Sequence, residues 1–516
     1  MTPLLSAAEA SATDRRWIDG GVPGLVLMEN AGRGAAEVLR AAFADRLARP
    51  VVVGGPGQNG GDAWVVARRL ATWGLRPRTL IASDPGRVAG DARVNLDALA
   101  GLGLSPARLA EGGLDPLRDA LADATVVVDG LFGTGLDRPV EGWRRTVREA
   151  MERAAAPVLA LDLPSGVDAD TGRVLGVAVR AEVTATFGGS KRGLWQHPGW
   201  LHGGRVVEVD IGVPLPAQTS QAAAGAWRLG VDDLLRWVPG RPPDAHKGTA
   251  GHVRVLAGSP GTTGAAVLSG LGALRGGAGK ATLAVRPPRR AALDAKVLEL
   301  MTTEIATPAA ALAALAERDA GVVGPGRGLD RASRELALAC ASDATVPLVL
   351  DADALTAVAD VGLDTLRQAA AARVLLPHPG EAARLLGSRT SDVQADRYGA
   401  AEELARRSGQ VVVLKGAGSI VATTTEEGAC LAVCPFGTPA LGVAGTGDVL
   451  AGVVGARLAN GAPIFAATAS AVVLHALAGE EAARADRGLL ASEVADALPD
   501  ALDRARREPP RPSPPG

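Results

Sequence analysis

Val51-Val-Val-Gly-Gly-Pro-Gly-Gln-Asn-Gly-Gly-Asp62 runs from three β-branched residues into a glycine-rich turn, and the residues after it, Trp64 to Leu70, read as helix. A short apolar run, a glycine turn and a helix, in that order, open a βαβ unit. Glycines let the backbone approach a ligand, and the free N–H groups of the following helix attract phosphate. Gly55, Gly57 and Gly60 formally satisfy G-x-G-x-x-G, so a dinucleotide-binding dehydrogenase is one reading; alone the pattern is weak.

Working outward, the same alternation fills residues 1–222. Strands are expected at Val51–Val53, Thr79–Ala82, Thr125–Val128, Val158–Leu161, Val183–Phe187 and Val206–Val209, with room for helical crossovers between them. The rest of the chain repeats the pattern at Val253–Leu256, Ala281–Val285, Gly321–Val323, Leu348–Leu350, Val374–Leu376 and Val411–Leu414. The fold class is therefore α/β, a Rossmann-like three-layer parallel-sheet domain followed by a second α/β domain. All eight tryptophans lie between Trp17 and Trp237, so the halves are unlike and the chain is a fusion, not a duplication. Linker composition from Pro214 to Gly225 puts the boundary near residue 222, giving domains 1–222 and 223–508, and the proline-rich end, 509–516, is expected to be disordered.

Bulk properties narrow the function. At 516 residues the chain exceeds one hydrophobic core, and 47% hydrophobic with 21% charged residues is a globular composition. A net charge of -2 gives no broad attraction to nucleic acid or anionic membranes. Three cysteines, Cys340, Cys430 and Cys434, are too few for a disulfide framework or a four-ligand zinc site and read as buried apolar thiols. The segment Met1 to Trp17 lacks the apolar core of a secretory signal, and no run of 18 apolar residues occurs, so a soluble cytoplasmic protein is expected.

Ligands of open parallel sheets gather at the carboxyl ends of strands. Asn59, Asp129, Asp162 and Ser165 all fall there, and together they offer hard oxygen ligands for a cation and a carboxylate for proton transfer. Each singly could instead cap a helix or turn. Here the sequence resembles a known family: Gly21 to Gly32, the Asn-Gly-Gly-Asp62 loop, Asp129 to Leu136, Leu163-Pro-Ser-Gly166 and Thr171-Gly172 are similar to NAD(P)H-hydrate epimerase domains. The resemblance implies a potassium ion held by Asn59, Asp129 and Ser165. It implies hydrate binding by Gln58, Asn59, Gly60, Gly61, Asp62, Gly133, Thr134, Gly135, Leu136, Asp137, Arg138, Pro139 and Asp162, with Asp162 as catalytic acid/base. Gln58 and Ala63 depart from the family's usual Asn and Gly. Lys191 reads either as a phosphate contact or as a solvated surface lysine.

In the second half, Gly437 to Gly452 contains Gly445-Thr-Gly-Asp448 before a long helical stretch, placing backbone donors at a helix N-terminus with a carboxylate at its mouth. An ordinary capping aspartate is the bland reading. With His246-Lys-Gly248, Gly258 to Ala266, Gly324-Pro-Gly326, Asp351-Ala-Asp353, Pro377-His-Pro-Gly-Glu381 and Lys415 to Ser419, this half resembles the ribokinase-like, ADP-dependent NAD(P)H-hydrate dehydratases. The resemblance implies Asp448 as catalytic base contacting the hydrate, Ala265, Gly326 and His378 as further hydrate contacts, and Lys415, Gly416, Ala417, Gly418, Ser419 and Gly447 on the adenine nucleotide. It further implies ADP as phosphoryl donor; magnesium is expected for phosphoryl transfer, though no dedicated metal cage is visible, and a homo-oligomer with small-molecule partners only is expected. The overall expectation is a bifunctional isomerase and lyase that repairs hydrated NADH or NADPH. The alternative is a ribokinase-like vitamin or small-molecule kinase fused to a non-catalytic Rossmann-like binding module.

Overall fold

The structure, a computed structural model, describes residues 1–214, 225–288 and 290–507. The boundary expected near residue 222, nearly all of the linker, and the end expected to be disordered lie outside the described residues. The described chain forms two compact units, residues 3–214 and residues 225–507, the latter together with Met1 and Thr2.

In the first unit a seven-stranded sheet has the order Ala107–Arg108, Arg78–Ile81, Pro50–Gly54, Val126–Gly130, Val158–Leu161, Val183–Phe187 and Arg205–Val209, every pairing parallel. Successive side chains of Pro50–Gly54 alternate between faces. Val52 joins Trp64, Val65 and Leu39 of the helices Gln58–Thr72 and Gly24–Ala42, whereas Val51 and Val53 join Leu117, Val147 and Met151 of Asp115–Leu121 and Gly142–Arg153. The strand is buried on both faces, which explains its uninterrupted apolar run. The chain builds outward from Pro50–Gly54 to one edge, then returns to place Val126–Gly130 on the other side. That topological switch point opens a crevice at the carboxyl ends of these two strands.

The second unit orders its strands Met301–Glu304, Lys280–Val285, His252–Leu256, Ala320–Val323, Leu348–Leu350, Arg373–Leu375, Val411–Leu414, Ile420–Thr425, Gly428–Val433 and Gly225–Arg228. Only Ile420–Thr425 runs antiparallel to its neighbours. Four helices, Thr263–Arg275, Thr446–Ala459, Ile464–Ala482 and Ala491–Arg507, contribute to the core that covers one face. The first two cross closely because small residues meet: a Cβ at Gly452 would stand 2.0 Å from the Ser269 carbonyl oxygen. Ile464–Ala482 is long and apolar enough to cross a membrane by composition, yet its apolar window is 72% buried within the protein, as in a core helix. The α/β class expected for both halves is the one observed. All three cysteines are free and buried, and burial pushes each thiol up to about 12.

Candidate active sites

In the first unit the helix Gln58–Thr72 begins immediately after Gly57, so the Asn-Gly-Gly-Asp segment is its first turn and not a loop. The glycines have a different task from the one expected. A Cβ at Gly55 would stand 2.1 Å from the Leu131 carbonyl oxygen and one at Gly60 would stand 2.0 Å from the Gly55 oxygen. Both therefore serve close backbone packing, and only Gly57 is open. This packing draws the helix start down onto the end of Val126–Gly130.

There Asp129, fully buried, accepts from Ser165 Oγ at 2.7 Å, Ser165 N at 2.9 Å and Leu131 N at 3.2 Å. Burial pushes its carboxyl up to about 6 against the pull of those hydrogen bonds. Asn59 Nδ2 donates to the Phe132 carbonyl at 2.9 Å, while Asn59 Oδ1 is buried with no hydrogen-bond partner. An unpartnered buried amide oxygen is unfavourable unless something electropositive meets it. Together with Asp129 and the Ser165 hydroxyl it makes an all-oxygen donor set that suits a hard cation.

Asp162 holds a positive φ of 63° at the end of Val158–Leu161, an uncommon conformation for a non-glycine residue. The turn aims its carboxylate back at the sheet, where it accepts from Phe187 N at 3.2 Å and is ion-paired to Lys191. Lys191 is neither a surface lysine nor free for a phosphate: it is 2% exposed and also donates to the Phe187 carbonyl at 2.7 Å. A Cβ at Gly133 would lie 3.4 Å from Asn59 Cβ and 3.5 Å from Asp162 Oδ2, so these three meet. Asp62 joins them, its carboxyl driven well above the usual range by burial and then by the charges of Asp162 and Asp14. Gln58 is exposed, and Thr134 to Pro139 continue as an exposed to half-buried turn. Sequence reasoning missed the roles of Lys191 and Asp14; only a contact across 29 residues reveals the first.

In the second unit Gly445, at φ 97°, turns the chain into Thr446–Ala459, leaving Gly447 and Asp448 in the first helical turn. Buried His475 accompanies this start, its ring 2.9 Å from the Thr446 carbonyl and pulled down to about 4 by burial, hence neutral. Asp448 is pushed up to about 7, first by burial and then by Asp351 and Asp353, with Lys415 opposing. Lys415 Nζ pairs with Asp351 Oδ1 at 2.7 Å and lies 3.4 Å from where a Cβ on Gly447 would be. Burial alone would lower Lys415, but Asp351 and Glu381 hold it above the ordinary lysine value. Its side chain thus turns to the carboxylate cluster, while Arg397 gathers the carbonyls of Leu414, Lys415 and Gly418 beneath the loop and Ser419 Oγ donates to Gly416 O at 2.9 Å.

His378 caps the helix Pro379–Leu386 with Nδ1 accepting from Gly380 N at 3.0 Å, and Glu381 Oε2 accepts in return from His378 N at 2.8 Å. Gly326 and the helix bearing Ala265 meet at Thr262, whose hydroxyl donates to Gly326 O at 2.7 Å. The Gly328 N–H donates to Asp353 at 2.8 Å, tying this loop to the charges around Asp448. Asp351, Asp353 and Glu381 stood in quoted motifs without a role; their position after a strand end or at a helix start was the available signal.

With this geometry established, comparison with known proteins is decisive. A family profile described as NAD(P)H-hydrate dehydratase matches residues 253–500, and one described as YjeF-related protein N-terminus matches residues 24–193. The bifunctional NAD(P)H-hydrate repair enzyme Nnr of Moorella thermoacetica is 36% identical, covering 98% of this chain and 97% of its own. The chain belongs to the bifunctional NAD(P)H-hydrate repair enzymes. The repair enzyme of Escherichia coli is 34% identical over 92% of this chain and 88% of its own. An ADP/ATP-dependent NAD(P)H-hydrate dehydratase from Bacillus subtilis, co-crystallized with ATP and Mg2+, is 29% identical, with a TM-score of 0.48 over 55% of this chain and 100% of that one. Membership of the repair family removes the dehydrogenase and vitamin-kinase readings.

Proposed function

We propose that the N-terminal domain, residues 1–222, interconverts the R and S hydrates of NADH and NADPH. The second, residues 223–508, then dehydrates the S form at the expense of ADP, releasing AMP and phosphate. The observation that carries the reading is Asp448: a carboxylate raised to about 7 in the first turn of a helix, beside the pair of half-buried Lys415 with buried Asp351. A base poised near neutrality can take the proton of the C6 hydroxyl as that oxygen attacks a phosphoryl group. Backbone N–H groups of the helix start and Lys415 would meet the phosphate charge. Phosphate, a far better leaving group than hydroxide, then departs from C6 while C5 gives up a proton, and the C5–C6 double bond of the dihydronicotinamide closes. Ala265, Gly326 and His378 would line the hydrate side, and Lys415 to Ser419 with Gly447 the nucleotide side.

In the first unit Asp162 would shuttle the proton that accompanies loss and return of hydroxide at C6, its geometry held by Lys191 and Phe187 N. Asn59, Asp129 and Ser165 would hold a potassium ion, which supplies positive charge beside the bound substrate. The unpartnered Asn59 oxygen fits that assignment. For magnesium the fit is poorer: among the described residues no three His, Cys, Asp or Glu side chains are placed to hold a metal ion, so it would arrive on nucleotide phosphates. Three free buried cysteines and the small net charge support a cytoplasmic protein without nucleic-acid or membrane partners; a homo-oligomer belongs to the same reading. The test is S hydrate with ADP: one AMP and one phosphate should appear per NADH, and NADH formation without AMP would sink the proposed phosphoryl transfer.

A further inference from the structure

The second unit holds a cavity of about 1010 Å³ that shares no lining residue with the Asp448 cluster. It opens at the other end of the same helix, where Arg457 is nine residues beyond Asp448, about 14 Å along the axis. Its walls include Trp237 and Phe465, whose rings meet edge-on at 6.3 Å, and the residues Arg241, Arg457 and Arg506.

Among the described residues these three cations are not neutralised. Arg457 donates to Trp237 O and to Asn460 Oδ1, each at 2.9 Å; Arg506 donates to Val238 O at 3.2 Å; Arg241 donates to Gly277 O. Among the described residues none of the three has a carboxylate within ion-pairing distance, whereas Arg236 and Arg275 at the same rim are paired with Asp233 and Asp496. Arg457 is only 8% exposed, and its Nε is buried with no partner. Its guanidinium is pulled down to about 10, by burial first and then by Arg241 and Arg506, so both of these stand close enough to Arg457 to repel it. The C-terminus of Thr446–Ala459 contributes roughly half a negative charge, too little to balance three positive ones. A set of guanidiniums without a carboxylate partner among the described residues, beside aromatic walls, suits a phosphate carried on a flat ring.

We propose that this cavity is a second ligand site that takes a nucleoside phosphate, with the phosphate on Arg241, Arg457 and Arg506 and the base against Trp237 and Phe465. The volume lies at the upper end of small-molecule sites, which span roughly 300–1,000 Å³. Because the dehydration proposed above releases AMP, AMP is the probe; that choice rests on the dehydratase reading, but a binding measurement does not.

Equilibrium dialysis of the full chain with AMP, run alongside an Arg241→Ala/Arg506→Ala variant, tests it. Both side chains are exposed, so folding is spared, and circular dichroism checks it. The expected result is one fewer AMP per chain in the variant, with dehydration at low nucleotide unchanged. Trp237→Leu should weaken this AMP by about 5- to 100-fold, the range of base–aromatic stacking, while inorganic phosphate binds it as it does the wild type. Equal AMP counts in wild type and variant would overturn the site, and so would inorganic phosphate competing as tightly as AMP, which would leave a bare anion cleft. If the chain forms no NADH yet the AMP count still drops in the variant, the dehydratase reading fails and this site stands.

Discussion

Asp448 shows how one residue couples function to stability. Its carboxyl sits at about 7 in the folded protein and near 3.8 when unfolded. The folded state therefore holds the proton more tightly, so the charge destabilises the fold progressively above the unfolded value and fully above about 7. Asp448→Asn should abolish dehydration, by about 10²–10⁴-fold, yet raise the thermal midpoint at about pH 8, with the gain vanishing near pH 4. A lower midpoint at high pH would show that the carboxylate is a stabilising partner instead. For the same reason wild-type dehydration should climb through about pH 7, as the base form fills. At the other site, potassium should raise the midpoint of the wild-type chain more at pH 7 than at pH 5, because Asp129 loses its proton near 6. Asn59→Ala should cancel that shift; a potassium effect that survives the substitution would remove Asn59 from the ion.

At the scale of elements, the strand Pro50–Gly54 and the helix start at Gln58 were readable because burial on both faces forces an apolar run and the turn forces glycine. What those glycines touch was not readable. Gly60→Ala would drive a methyl into the Gly55 carbonyl and shift the helix carrying Asn59 and Asp62. Epimerisation should fall while dehydration, in the other unit, persists; equal loss of both would mean global unfolding, which circular dichroism would register. The strands absent from the sequence reading, among them Met301–Glu304 and Ile420–Thr425, include edge or hairpin segments rich in Thr and polar residues. Such segments are ordered by their neighbours, not by their own pattern. The central parallel strands, each a short apolar run, were all found, with ends displaced by a residue or two.

Across the whole molecule, the two α/β units were legible from strand spacing, although Trp227 and Trp237 belong to the second unit and tryptophan placement alone would misplace the boundary. The ion pairs were not. Lys191 with Asp162, and Lys415 with Asp351, join residues 29 and 64 positions apart, and no local pattern announces them. Each ammonium fixes a carboxylate at a candidate site, and that of Lys191 is buried, so Lys191→Met should leave Asp162 without its partner, destabilise the first unit by about 3–5 kcal/mol, and be detected by chemical denaturation. The most direct test of two separate chemistries is R hydrate supplied alone with ADP to three proteins, following NADH and the epimer ratio. Wild type should convert all of it to NADH. Asp162→Asn should leave R hydrate nearly untouched while still dehydrating added S hydrate, and Asp448→Asn should form no NADH yet equilibrate R with S. Loss of both activities in either folded variant would contradict the account.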